Sequence, residues 1–208
     1  HNAGDKGRIK FTGTASGSQT AGIIEFNSLL QAMSSTSWYA SGGLIKTIGS
    51  SNASINVSEH NFYINNLEIY GNTNKNVQQT SNVTSGSIPD LDIRGYLKIY
   101  SSITLNSNNK DITIAGDWTN DGTYSYGSNG NVVIFNGNID QTISGSNSTT
   151  FYDLIIDKTI TKLILNVNNT TVKNNLTLTN GAIDLNQKTL IVDNPSSAAI
   201  SRTNGYIK

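Results

Sequence analysis

Cysteine is absent from the 208 residues. Neither disulfides nor thiolate metal sites can hold this fold, and its stability must come from hydrogen-bond ladders and side-chain packing. Proline occurs twice, at Pro89 and Pro195. No apolar run approaches the roughly 20 residues that a membrane-crossing helix needs. Charge is scarce as well: 13% of residues are charged, and 14 Lys and Arg balance 14 Asp and Glu. That balance lacks the electrostatic footprint of a protein for nucleic acid or an anionic membrane. The start, "HNAGDKG", carries no signal-peptide pattern and reads as a mature terminus, with a secretion signal expected to have been cleaved.

Asn, Thr, Ser and Gly are plentiful instead, together with Ile and Val. Hydrophobic residues make up only 36%, low for a compact enzyme, yet the wealth of β-branched residues argues against disorder. From Leu97 onward, short runs alternate apolar and polar residues: "LKI", "ITL", "ITI", "VVIF", "LII", "LIL", "LTL", "IDL" and "LIV". This is the period-two pattern of half-buried strands and leaves little room for helix. Between the runs stand "NSNNKD", "TNDG", "GSNGN" and "NGNID". These are turn clusters, because Asn, Asp and Gly tolerate positive φ or bond their own backbone. Strands so spaced fit a sandwich, a barrel or a solenoid.

Internal similarity favours the solenoid. "IRGYLKIYSSITLN" from Ile93 lies beside "VKNNLTLTNGAIDLN" from Val172, with Leu97 over Leu176 and Ile99 over Leu178. "IKFTGTASGSQTAG" from Ile9 lies beside "VIFNGNIDQTISG" from Val133, with Phe11 over Phe135, and "FYINNLEI" from Phe62 beside "FYDLII" from Phe151. The expected fold is an all-β, right-handed parallel β-helix with coils of roughly 20 to 30 residues; a β-sandwich is the alternative. One domain spans residues 1–208, with 91–208 as the regular repeat region and 1–90 as a less regular part or cap. Within the latter, "GIIEFNSLLQAMSSTSWYA" has Ile23, Ile24, Phe26, Leu29, Leu30 and Met33 at a spacing that fits a short amphipathic helix covering the first coil. The end, "SRTNGYIK", shows no comparable cap, and the chain is expected to belong to something longer.

The stretch "IAGDWTNDGTYSYGSNGNVVIFNGNIDQTISG", followed by "FYDLIIDK" and "NNLTLTNGAIDLNQKTLIV", resembles a repeat of large surface proteins from gliding bacteria that use type IX secretion. Those repeats read G-x-W-T-N-x-G-T-F, V-x-F-N-G, Q-T-I-x-G, F-Y-N-L-x-I and L-x-L-x-x-G-x-I-D-L-N-G. The likeness runs over 97–192, about half the chain; Tyr124 replaces a Phe, Asp153 an Asn and Gln187 a Gly. The resemblance implies a β-helical, adhesin-like segment at a bacterial cell surface, with surface glycans or other surface proteins as partners and no catalytic residue or cofactor.

Candidate chemistry is sparse. A Ser-His-Asp arrangement needs a His beside the Ser, and the only internal one is His60, next to Glu59 in "VSEHNFYI", with no G-x-S-x-G elbow anywhere. Parallel β-helices also host polysaccharide lyases and hydrolases, whose chemistry needs paired carboxylates or a Ca²⁺ cluster with a basic residue. Asp90, Asp92 and Arg94 in "IPDLDIRG" come nearest, alternation placing all three on one strand face; the matched repeat carries Lys173 against Arg94 but no acids. Asp117 and Asp121 in "GDWTNDGT" faintly resemble a calcium loop, yet no Glu stands at the twelfth position, and Asx-capped turns explain them as well. Sugar rings stack on exposed aromatics, for which Trp38, Tyr39, Tyr96, Tyr100, Trp118, Tyr124 and Tyr126 are the candidates. Trp118 could equally close the core at a corner. No Thr-x-Thr ladder of the kind that would order surface water recurs. The Asn-x-Ser/Thr triplets, as at Asn52 and Asn175, follow from the composition.

Overall fold

A strand of three or four residues buries only two side chains, too few to hold itself together. Stacking such strands in register makes each one a rung of a continuous sheet. The computed structural model of the chain describes residues 8–11, 16–32, 37–57, 62–80 and 91–208, and it is a parallel β-solenoid of about eight turns. The first coil runs through Arg8–Phe11, Ser16–Gln19 and Ile23–Phe26. Later coils add strands along each of these three faces, giving a three-sided rod. The third face joins the second where Asp153–Leu165 and Leu176–Asp184 run round the corner without a break. Residues pair with positions from 19 further on, as Thr104 with Thr123, to 30 further on, as Leu67 with Leu97.

Every strand pairing among the described residues is parallel, so the antiparallel sandwich is set aside. The sheet that forms the second and third faces runs from the first coil to the last, whereas the first face is divided between a six-stranded and a three-stranded sheet. The N-terminal helix is also corrected. Ile23–Phe26 and Leu29–Ala32 are strands on different faces, and there is no helix among the described residues. Asn27 and Ser28 form a corner, and the apolar positions on either side serve two short strands whose inward phases differ. Phe26 and Leu30 are buried, while Ile23 points out. Met33 lies outside the described residues.

Inside, like sits on like. On the second face Ile64, Ile93, Ile114, Phe135, Ile156 and Leu178 form one inward ladder. On the third face Ile45, Leu67, Leu97, Trp118, Ile143 and Leu165 form another. Nearly all of these are fully buried, which removes apolar area from water at about 25 cal/mol per Å². Corners are held by side chains that reach the next coil: Asp111 accepts the Val132 N–H at 2.8 Å, Asp140 the Lys162 N–H at 3.0 Å and Asp153 the Asn175 N–H at 2.8 Å. Asn108 and Asn109 take left-handed φ of 53° and 64° at one corner. At another, Gly116 lies so close to the coil before it that a Cβ would stand 2.4 Å from the Gly95 carbonyl. Two lysines are buried. Lys75 reaches the Asn27 and Ile48 carbonyls. Lys158 donates to Gly137 O at 2.8 Å, Ile139 O at 2.9 Å and Gln141 Oε1 at 2.6 Å.

The repeats matched by sequence lie one face apart. Leu97 begins a third-face strand, whereas Leu176 begins the second-face part of its own. Phe11 is on the first face and Phe135 on the second; Phe62 is on the second and Phe151 on the first. Each coil is three similar strand-and-corner units, so self-similarity locates a unit without saying which face it occupies.

Candidate functional site

Three of the seven candidate aromatics belong to the core. Trp118 is fully buried and packs edge-on against Tyr124, centroids 4.9 Å apart, and Phe151, 5.2 Å. Tyr124 shares a hydrogen bond with Asn131, and burial pushes its hydroxyl far above the ordinary tyrosine range. Trp38, 9% exposed, stacks on Phe62. None of these offers a face to a ligand, because alternation turns the even-phase side chains of their strands inward. Tyr96 and Tyr100 are half-buried and spend their hydroxyls on Glu68, at 3.0 and 3.1 Å. Burial and that carboxylate push Tyr96 up to about 12. Lys46 closes the cluster, 3.5 Å from Glu68 and over the ring of Tyr70. Tyr126 is half-buried against Tyr152, centroids 5.5 Å apart.

Tyr39 differs from them all. It is 52% exposed and lies on the outer surface of the second face, where the register carries Tyr39 to Tyr63 and Tyr63 to Asp92 on successive coils. The Tyr39 and Tyr63 rings are 5.3 Å apart at 40°. The Arg94 guanidinium lies 4.3 Å from the centroid of Tyr63, and it binds the Asp92 carboxylate at 2.8 Å. Two rings, a cation and an anion therefore form one row across three coils. Tyr39, Tyr63 and Arg94, with Ala40 and Ser41, line an open depression of about 410 Å³; Asp92, its side chain 14% exposed, adjoins it through Arg94. Burial pushes the Asp92 carboxyl up, and Arg94 beside it pulls it part of the way back. Farther along the same ladder come Thr113, Ile134, Ile155, Thr177 and Ser201, so the aromatic row is confined to the early coils.

Tyr63 is the residue that sequence reasoning missed. Its signal was the alternation in "FYI", which sends Phe62 and Ile64 in and Tyr63 out. Asp90 and His60 lie outside the described residues. Arg94 sits at the corner between the second and third faces and Lys173 at the corner before the second, so the two are not counterparts. Asp117 accepts the Thr142 N–H at 2.7 Å and Asp121 the Ser146 N–H at 2.9 Å, a corner-capping role. Among the described residues no group of three or more His, Asp or Glu is placed to hold a metal.

No family model, curated protein or solved structure matches this chain. The choice between surface features therefore rests on their chemistry. A larger depression, about 500 Å³, opens near the last coils beside Asp140, Lys162, Tyr206 and Lys208. Its cations already face Asp184, at 2.9 Å from Lys162 and 3.7 Å from Lys208, and Tyr206 is its lone ring. The early row joins two ring faces to a matched donor and acceptor, and it is the stronger candidate.

Proposed function

We propose that this chain is an extracellular display module, a stiff solenoid that carries an adhesive, carbohydrate-binding strip and does not turn its ligand over. The row of Tyr39 and Tyr63, outward on neighbouring rungs and flanked by Arg94 and Asp92, carries this reading. Aromatic faces take up the C–H faces of sugars, and a few placed polar groups fix orientation. The likeness of 97–192 to surface repeats of gliding bacteria supports a place at the bacterial cell surface, with the rod holding its strip away from the membrane. Two of the carboxylates that a hydrolase could draw on, Asp117 and Asp121, are spent on backbone N–H groups at the corners.

Asp92, with its carboxyl pushed up beside a basic residue, also keeps the polysaccharide-active enzyme in view, and one experiment separates the two. Polysaccharides are incubated with the protein, and both retention and newly formed reducing ends or unsaturated uronates are measured. The binding module retains polymer without product, and Tyr39→Ala and Tyr63→Ala each weaken retention about tenfold, as loss of a stacking anchor does. Product that accumulates with the wild type and vanishes in Arg94→Ala establishes the enzyme instead.

A further inference from the structure

We infer that this row, if the glycan-binding reading holds, selects neutral sugars with adjacent hydroxyls and lays the glycan along the solenoid axis. The selection follows from the pairing of Asp92 and Arg94. At 2.8 Å the two charges cancel, and a uronate or sulfate brought to the guanidinium also meets the carboxylate. A carboxylate only accepts hydrogen bonds and a guanidinium only donates them, whereas a hydroxyl does both. Two adjacent hydroxyls can give one O–H to Asp92 and take one N–H from Arg94, bonds that ionised partners strengthen. Arg94 is suited to this because it lies over the Tyr63 ring, 4.3 Å from its centroid, and about half of its side chain is open to solvent.

The direction follows from the register. Tyr39, Tyr63 and Asp92 stand on three successive rungs, and rungs are about 4.8 Å apart. The two ring centroids, 5.3 Å apart, match the advance of one pyranose unit in an extended glycan. A chain running along the axis meets Tyr39, Tyr63 and the Asp92–Arg94 pair with consecutive sugars. A chain running across the strands meets one rung and then leaves the aromatic row, because the neighbouring face presents Glu25, Lys46, Glu68 and Lys98 in its ladder.

The test is binding by affinity electrophoresis and titration calorimetry, with the full chain at low and high salt. Mannan and xylan, whose 1,4-linked sugars keep two adjacent hydroxyls, serve as neutral polymers; polygalacturonate and alginate as uronates. The inference expects a neutral polymer to be bound with little change between the two salt conditions. Asp92→Asn should lose about tenfold for that polymer, on the scale of a charged hydrogen bond, and should gain affinity for polygalacturonate because Arg94 is then uncompensated. Arg94→Lys, which keeps the charge but not the planar fork, should lose a similar factor on the neutral polymer. Unchanged circular dichroism and melting show that both variants are folded. Across mono- to tetrasaccharides, affinity should rise to about three sugars, one for each rung; Tyr39→Ala should abolish the gain from the last.

Wild type that prefers uronates, with binding that falls steeply with salt, overturns the neutral-sugar selection while leaving the binding module intact. Affinity already complete at one sugar overturns the axial arrangement. Wild type retained by none of the polymers overturns the glycan-binding reading itself.

Discussion

Replacing Lys158 by methionine keeps nearly the same chain length in the core and removes a buried ammonium whose three N–H groups are all engaged. Two of the three acceptors keep another donor: Gly137 O has the Thr161 hydroxyl at 3.2 Å, and Gln141 Oε1 has the Gly137 N–H at 2.9 Å. Ile139 O loses its ammonium donor without such a substitute in the same set of bonds. A hydrogen bond to a charged group contributes about 1.5–3 kcal/mol net, and methionine escapes the cost of burying the charge. The variant is therefore expected to be less stable by about 1–3 kcal/mol at pH 7. Burial holds Lys158 down at about 8, against 10.5 for an ordinary lysine, with Asp140 and Asp117 opposing the shift. Because the folded value lies below the unfolded one, the unfolded chain keeps between those two pH values a proton that the folded chain has released. Folding is thus favoured as pH rises through that window. At about 1.4 kcal/mol per pH unit, wild type gains about 2 kcal/mol over the methionine variant between pH 7 and 9.5. Urea denaturation of both proteins at the two pH values, followed by tryptophan fluorescence, reads the gap. A gap that stays the same at the two pH values refutes the reasoning, because it means that the three acceptors hold the folded ammonium at or above its unfolded value, so that neither chain releases the proton in that range.

Three further outcomes follow. Trp118→Ala empties the centre of the aromatic cluster with Tyr124, Phe135 and Phe151 and should cost about 3–5 kcal/mol in urea denaturation, whereas Tyr39→Ala, on the surface, should stay within about 0.5 kcal/mol. Gly116→Val places a Cβ 2.4 Å from the Gly95 backbone and should cost at least about 1–3 kcal/mol, seen as a lower melting temperature. Glycan binding should weaken on acidification, at a pH above the ordinary Asp value of 3.8, because burial raises the Asp92 carboxyl and its protonation removes the charge of the acceptor; the groups facing it are Arg94 and Tyr63. Binding by Asp92→Asn should be flat over the same range, and an equal fall in both proteins would assign the pH effect elsewhere.

Architecture was open to sequence reasoning because its causes are local. Two-residue periodicity in "LKI" and "VVIF" fixes which side chains turn inward, and Asn, Asp and Gly clusters fix where the chain bends; both survive into the structure at Leu97–Ile99 and Val132–Phe135. The helix over Ile23–Met33 failed for a local reason too. Apolar residues at 23, 24, 26, 29 and 30 satisfy a helical stripe, and they equally satisfy two strands separated by the Asn27–Ser28 corner. The neighbouring coils decide between the two by offering open strand edges.

The site was less legible because it depends on which coil lies over which. Trp38 and Tyr39 are adjacent in sequence, yet one is in the core and the other on the surface. The partner that makes Tyr39 a site is Tyr63, 24 positions on, and the Asp92–Arg94 pair follows after a coil of a different length. Coil lengths from 19 to 30 residues leave no fixed period from which to compute that row. The same variability explains why the matched repeats came out one face apart: Leu97 and Leu176 share a local outline but occupy different faces. In a solenoid, binding surfaces are written in the step from one coil to the next, and corner insertions change that step while leaving each strand's own pattern intact. Tyr63 and Asp92 are neighbours because Phe62–Ile64 and Leu91–Ile93 pair directly in register; a slip of one residue in that register would turn Asp92 inward and break both the core ladder and the row.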